Sequence, residues 1–429
     1  KREVGALMLG YHDDAGTLTY AGNVGSGWDA ATAADLRRRL QALEVPTPPF
    51  QAGDLAPGRW SRRAAGSEHW VKPTLVAEVS FADWSADGRV RHAVFRGLRD
   101  DKPADAVMRE ASAVVPSRSN RVGTVKVSNP ERVIDATTGL TKLDLVRYYE
   151  SVAEWMLPHL KGRPVSLLRG PNGLGGQLFF QKHDDKLTIP GMRELDPALW
   201  PGHPPMLELP SAEALVNAAQ MNVIEFHTWN ALAKNITRPD RMVFDLDPGE
   251  GVPWSRVQEA ATLTHTLLTE LGLQAWLKTS GGKGLHVVVP LAPRLDEDVV
   301  RGFSQAVVEH LAHTLPSRFV AKSGAANRVG KVFVDYLRNS HGATTAAAFS
   351  ARARPGLGVS MPVAWEQLST LKSGAQWSIA TAREYLSFQQ TDPWGDYWAA
   401  RQTLTRPMKV LGYNPTPARP RVAKAQVSR

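Results

Sequence analysis

Two aspartates separated by one residue close an apolar run, Met242-Val243-Phe244-Asp245-Leu246-Asp247-Pro248-Gly249. In an extended strand alternate side chains share a face, so Met242, Phe244 and Leu246 point one way and Asp245 and Asp247 the other. Their Cα atoms are then about 6.5–7 Å apart, close enough for both carboxylates to grip one hard cation. Pro248-Gly249 stops the strand and leaves the acids at a sheet edge. Two solvated acids at a strand end would look the same, so the pair needs further residues before it marks a site. Asp335 is one, the single acid of the apolar stretch Val332-Phe333-Val334-Asp335-Tyr336. A buried, unpaired carboxylate is costly, so Asp335 needs a cation, a site or an ion-pair partner, for which Arg338 stands three residues on.

A glycine-rich segment, Lys278-Thr279-Ser280-Gly281-Gly282-Lys283-Gly284-Leu285-His286, lies between two candidate strands. Its glycines let backbone N–H groups approach an anion, Ser280 adds a hydroxyl, and Lys278 and Lys283 add charge. It is not a Walker A loop, because Gly follows Lys283 and no helix is signalled. Alternation aims His286 and Val288 to one face. A plain glycine hairpin with a surface lysine is the alternative. With the three acids and the nearby Arg338, Arg352 and Arg354, the set describes a two-metal nucleotidyl-transfer site. Two cations about 3.5–4 Å apart would stabilise the attacking and leaving oxygens, and arginines would give the triphosphate bidentate donors.

The elements that must carry these residues are legible from periodicity. Strands are expected at Met242–Asp247, Gln274–Lys278, Leu285–Pro290 and Val332–Tyr336. Helices are expected from Ser255 to Leu271, stopped by Gly272, and from about Asp296 to Leu315. Thr141 with Asp144 forms a capping box that opens a helix whose apolar face is Leu145, Tyr149, Val152 and Met156. This part reads as α/β. The first hundred residues differ. Short strands at Ala6–Leu9, Thr17–Ala21, Thr74–Phe81 and Val90–Leu98 surround one helix, which Asp29 caps and Leu36, Leu40 and Leu43 face. Many short strands with one helix suggest a small all-β barrel of the OB-fold type. Residues 111–121 read as a small, polar linker.

Composition narrows the rest. The 429 residues suggest two or three domains. The lack of cysteine excludes disulfides, thiolate metal sites and cysteine nucleophiles. The net charge of +9 is uneven: residues 1–115 hold 15 basic and 15 acidic residues, residues 116–400 hold 29 and 27, and residues 401–429 hold seven basic residues and no acid. Bulk charge therefore does not make the folded body a DNA binder, and local clusters must. The longest apolar runs, such as Leu285 to Leu291, are far below the roughly 20 residues that a bilayer requires. No membrane association and a cytoplasmic location are the expectation. The first residue is Lys1, which suggests a piece of a longer protein.

FDLDPG, SGGKGLH and the Asp335 strand resemble the three motifs of the archaeo-eukaryotic primase-polymerase superfamily. More narrowly, NPERVIDATTGLTKLDLVRYY, QLFFQKH, EFHTWN, FDLDPG, KTSGGKGLHVVVPL, FVDYLRN and RARPG resemble, in that order, the polymerase domain of bacterial DNA ligase D, from about residue 120 to 400. The first hundred residues resemble the C-terminal OB domain of the ATP-dependent ligase module. There Arg91–Lys102 is similar to a motif whose basic residues help to orient ATP phosphates. The expected organisation is an OB-fold domain at 1–112, a linker at 113–121, an α/β (α+β) primase-polymerase domain at 122–400 and a basic arm at 401–429. No Lys-x-Asp-Gly occurs, so the lysine that a ligase adenylylates is missing, together with its adenylation domain.

The resemblance implies roles for single residues. Asp245, Asp247 and Asp335 would bind two divalent cations, Mn²⁺ or Mg²⁺. Ser280, Lys283, His286, Arg338 and Arg352 would hold an incoming NTP or dNTP. Phe180, with Phe179 beside it, would stack on a base, and His227 would position the nucleotide sugar or an acid. Arg132 and Lys142 would hold the 5′-phosphate of a recessed DNA end. From the bare sequence Lys142 is a solvated residue of a first helical turn, where a cation is slightly unfavourable. The family implies fill-in of double-strand-break ends and 5′-phosphorylated gaps in end joining, with Ku as partner and a preference for Mn²⁺ and ribonucleotides. A non-catalytic module that binds and bridges DNA ends is the alternative. So is a phosphatase that begins with Asp-x-Asp, although such enzymes want Gly and then Thr or Val where Pro248 and Gly249 stand.

Overall fold

A computed structural model describes residues 4–13, 16–50, 68–81, 83–84, 89–91, 93–99, 103–107, 120–183, 189–387, 389 and 392–415. Most of the expected linker, residue 92 and residues 100–102 of the ligase-like stretch, and the basic arm beyond residue 415 lie outside them. The chain divides into two compact units, Lys1–Ser117 and Arg118–Arg429.

In the first unit, strand Leu7–His12 pairs antiparallel with Leu18–Val24. Helix Ala30–Gln41 follows, and the Asp29 carboxylate accepts from the Thr32 N–H at 2.8 Å as its N-cap. The helix turns Ala33 and Leu36 inward and ends before Leu43, so that residue of the expected face belongs to the turn after it. The expected strand Val90–Leu98 is two, Val90–Arg91 and Val94–Arg99. They pair with Asp83–Trp84 and Val76–Ser80 respectively. Val24, Leu36 and Phe95 form the core, with Trp28 edge-on to Phe95 at 5.6 Å.

The second unit holds two six-stranded sheets. One runs Arg193–Glu194, Leu207–Glu208, Val165–Arg169, Val223–Thr228 and Thr345–Ala346, with Phe179–Gln181 also paired to Val165–Arg169. The other runs Phe319–Val320, Val332–Asp335, Arg241–Pro248, Leu285–Pro290, Trp276–Thr279 and Pro362–Val363. Its pairings are antiparallel except Phe319–Val320 with Val332–Asp335. Alternation gives this second sheet two unlike faces. Met242, Phe244, Leu246, Leu285, Val287, Val289, Val332 and Val334 are buried in one core with the inner sides of helices Trp254–Glu270 and Glu297–Thr314. The opposite face carries Val243 and Val288 under Trp394 and Tyr397, and beyond them the acids.

The helix expected to run through Met156 is broken. It spans Lys142–Ser151 behind the complete Thr141/Asp144 capping box, and a second helix covers Ala153–Leu160. At the junction the Ser151 hydroxyl donates to the Tyr148 carbonyl at 2.7 Å, sharing an acceptor with the Val152 N–H at 3.1 Å. Side-chain competition for a helix carbonyl bends the chain. Leu145, Tyr149, Val152 and Met156 are nonetheless all buried.

One side chain completes the second sheet where a strand runs out. Strand Val332–Asp335 pairs with Arg241–Pro248 only as far as Asp245, then turns into a 3-10 segment, Leu337–Asn339. Val243 would be left without a neighbour on that side. The Asn339 carboxamide takes the place, accepting from the Val243 N–H and donating to its carbonyl, both at 2.8 Å. Asn339→Leu leaves both buried backbone groups unpaired. It should lower the unfolding free energy of the second unit by about 2–4 kcal/mol in urea titration, and an unchanged midpoint would contradict this account.

Candidate functional site

Register brings the acids together. Asp245 lies directly opposite Asp335 on one neighbouring strand and His286 on the other, with all three side chains on the face away from the helices. Asp247 stands two residues along. One carboxylate oxygen from each of Asp245, Asp247 and Asp335 lies within 4.8 Å of the others. Asp245 and Asp335 are buried, and Asp247 is about one-third exposed.

The charges interact accordingly. Burial would raise the Asp245 carboxyl, but His286, Arg338 and Lys278 outweigh it and hold the group well below the usual carboxylate range. Asp247 is pushed up to about 6 by burial and by the charge of Asp245, and burial raises Asp335. Arg338 Nε sits 3.1 Å from Asp335 and 3.5 Å from Asp245, and Arg328 Nη1 3.4 Å from Asp247. Three carboxylates this close repel one another. Their hard oxygen donors and their repulsion both fit divalent cations.

A cavity of about 940 Å³ opens beside them. Asp245, Asp247, Ser280, Lys283, His286, Arg338 and Arg352 are among the residues that line it. Arg328, Arg354 and Lys372 add cations to the same wall. Within the glycine loop the Ser280 hydroxyl accepts from the N–H groups of Gly282 (3.1 Å) and Gly284 (3.0 Å). Gly281 has φ +68°, and a Cβ there would meet Arg352 Cγ at 2.6 Å and the Gly358 carbonyl at 2.9 Å. Lys278 departs from expectation. Cross-strand register places it against His286, so it is buried behind the ring and does not line the cavity.

Glu225 was not singled out from the sequence, yet it ties two expected residues together. Its carboxylate accepts from Arg352 Nε at 2.9 Å and from the Ala353 N–H at 2.6 Å, and lies 2.7 Å from His227 Nε2. Burial would raise it, but His227 and Arg352 hold it at about 2. Arg352 also donates to the Ser280 carbonyl at 2.8 Å, which locks the arginine to the loop. The signal was available: an acid at alternate spacing from His227 in an otherwise apolar strand is the pattern that marked Asp335. His227 meets Phe180 edge-on at 5.5 Å. Phe179 and Phe180 are each 47% exposed, which excludes ordinary core packing for Phe179.

Arg132 and Lys142 also come together, as a separate pair. Lys142 is 2% exposed, not solvated, and donates to the Ser128 hydroxyl at 3.1 Å. Arg132 donates to the Asn222 carboxamide. Burial, and then the adjacent Arg132 charge, bring the Lys142 ammonium down to about 8.

Comparison with known proteins finds relatives for both units. The family model of the LigD primase-polymerase domain matches residues 141–394, and that of the ATP dependent DNA ligase C terminal region matches residues 1–102. The chain is 49% identical over 424 residues to the multifunctional non-homologous end joining protein LigD of Pseudomonas aeruginosa, covering 95% of this chain and 50% of that protein. It is 33% identical over 256 residues to the protein of that name from Mycolicibacterium smegmatis, covering 59% and 34%. The chain therefore spans half of the first relative and about a third of the second. The polymerase domain from Mycobacterium tuberculosis Ligase D, solved in complex with DNA, superposes with a TM-score of 0.57 at 31% identity, over 61% of this chain and 94% of that one.

If the three carboxylates form one cation site, titration with Mn²⁺ followed by electron paramagnetic resonance should show binding. Asp335→Asn should weaken it by at least about tenfold. Equal binding by the two proteins would contradict a shared site.

Proposed function

The chain belongs to the LigD primase-polymerase family, and on that footing we propose that it is a template-directed nucleotidyltransferase. It adds ribonucleotides or deoxyribonucleotides to DNA ends and gaps in bacterial non-homologous end joining. The observation that carries this reading is the cluster of Asp245, Asp247 and Asp335, within 4.8 Å of one another, beside a cavity with a cationic wall. A phosphatase reading does not survive the family assignment. A purely DNA-bridging module would have no use for three crowded acids.

Asp245, Asp247 and Asp335 would hold two divalent cations, Mn²⁺ or Mg²⁺. When bound, these supply charge neutralisation to the attacking and leaving oxygens. The protein's own groups do the positioning. Ser280 keeps its hydroxyl hydrogen for a phosphate oxygen, because the loop N–H groups use only its lone pairs. Lys283, His286, Arg338 and Arg352 add donors to the triphosphate, and Glu225 and the Ser280 carbonyl fix the angle of Arg352. Phe180 offers an exposed ring to a base, worth about 1–3 kcal/mol, and His227, pinned by Glu225, faces the nucleotide sugar. Arg132 and Lys142 take the 5′-phosphate of the downstream strand.

Residues 1–112 are read as the OB-fold domain of an ATP-dependent ligase and 122–400 as the primase-polymerase domain; the basic arm expected at 401–429 is shortened, because Leu404 is buried and helix Thr405–Leu411 packs on the core of the second unit. Without a Lys-x-Asp-Gly lysine this chain alone does not seal nicks. Ku is the expected partner and the cytoplasm, at the nucleoid, the expected place. Among the described residues no helix is long and apolar enough to cross a membrane.

Asp245→Ala or Asp247→Ala should abolish primer extension while leaving folding and DNA binding largely intact, and wild-type extension by either variant would refute the proposal. The 5′-phosphate pocket predicts a pH effect. The charge of Lys142 is present below about 8 and lost above it. The preference for 5′-phosphate over 5′-hydroxyl duplexes should thus fall as the pH rises from about 7 to about 9. A ratio of Kd values that stays flat over that range would remove Lys142 from the pocket.

A further inference from the structure

Lys278 is a buried cation that the proposed reaction leaves without a task. It is 4% exposed, and its Nζ has three polar neighbours: the Ala346 carbonyl at 3.0 Å, Ser360 Oγ at 2.7 Å and His286 Nδ1 at 2.8 Å. The carbonyl can only accept. Ser360 has its own hydrogen committed to the Thr279 carbonyl at 2.9 Å, so its oxygen accepts as well. Thr279 is held in turn by the Val359 carbonyl and the Met361 N–H, both at 2.9 Å. The amine is therefore fixed by the segments around residues 279, 346 and 360, and one direction is left, towards the imidazole. On the far side of that ring, Nε2 lies 3.2 Å from Asp245 Oδ1, a carboxylate that only accepts.

We propose that Lys278 is a positioning residue that commits His286 to one ring orientation and one proton placement, with Nε2 carrying a hydrogen towards the acids and the cavity. One hydrogen is shared between Nζ and Nδ1. If it resides on Nζ, the ring is neutral and its proton is on Nε2. If it resides on Nδ1, Nε2 must still carry a hydrogen, because a bare lone pair would otherwise face the Asp245 carboxylate. With Asp245 in place Nε2 is a donor in both cases; without it Nε2 stays protonated only while the shared hydrogen remains on Nζ, the more basic atom, which is where we place it. A half-turn of the ring would set carbon atoms against both Nζ and Asp245, so Lys278 also fixes the orientation. Once a cation engages the Asp245 oxygens, the contact with Lys278 remains, and Nε2–H is available to a triphosphate oxygen. This last step rests on the proposed function; the proton placement does not.

The test uses the full chain labelled with ¹⁵N-histidine, free of metal and nucleotide, with His286 assigned by the loss of its signals in His286→Gln. Long-range ¹H–¹⁵N correlation should show Nε2 protonated in the wild type. It should show the same in Asp245→Ala, where the carboxylate no longer selects the tautomer. Adding Lys278→Met to Asp245→Ala should release the ring to exchange between both tautomers. A bare Nε2 in either of the first two proteins overturns the proposal, and these two require no folded lysine variant. A double variant that keeps the single Nε2–H tautomer overturns it too. In Lys278→Met alone, the nucleotide KM should rise about tenfold or more, the loss of one hydrogen bond to a charged group, with kcat changed by less than about threefold. An unchanged KM counts against the proposal. If the wild-type chain extends no primer, the functional reading has failed, and the tautomer spectra still decide the role of Lys278.

Discussion

Mutual repulsion among Asp245, Asp247 and Asp335 is the constraint on which the rest of the second unit depends. Bringing three carboxylates within 4.8 Å of one another is unfavourable, so the fold must hold them by force of geometry. It does so with a sheet. The acids sit on adjacent antiparallel strands whose opposite face is locked into a core of Val, Leu and Phe under two long helices. Burial of that face fixes the register, because a slip by one residue would turn every acid inward. Arg338 and Arg328 offset part of the repulsion, and Asn339 anchors the turn that carries Arg338.

A second tier of contacts shapes the cavity wall. Arg352 is aimed by Glu225 and the glycine loop, and His286 stands between Asp245 and Lys278. Ser280 and His286 are buried and hydrogen-bonded, and Arg352 is pinned at both ends, an arrangement that holds these donors at fixed angles before a ligand arrives. Net charge says little of this. The counted excess of +9 lies mostly in the last 29 residues. The cations that face the cavity or pair at Arg132 and Lys142 matter by placement.

The strand carrying Asp245 and Asp247, the glycine loop and the Asp335 strand were legible because period-two alternation and chain punctuation are local signals. The expected strand Leu285–Pro290 has those bounds in the structure, and the others fall within a few residues. What was not legible depends on register and tertiary approach. Lys278 reads as a loop cation until its pairing with His286 is known. Glu225 stands out locally as an acid in an apolar strand, but its hold on Arg352, 127 residues away, does not. Arg328 enters the site through Gly249, whose missing Cβ lets the Arg328 carbonyl approach; by local pattern alone Gly249 is only a strand stop. The break at Val152 is likewise a competition for one carbonyl that a hydrophobic face does not register.

If the crowded carboxylates and the cavity beside them perform cation-dependent, templated nucleotide addition, single-nucleotide incorporation into a 5′-phosphorylated gapped duplex in the presence of Mn²⁺ will show it. Each of the four nucleotides would be offered in turn, with and without a chelator. The nucleotide complementary to the template base should be added, and the addition should be lost on chelation. Incorporation that ignores the template, or that survives chelation, would contradict that mechanism.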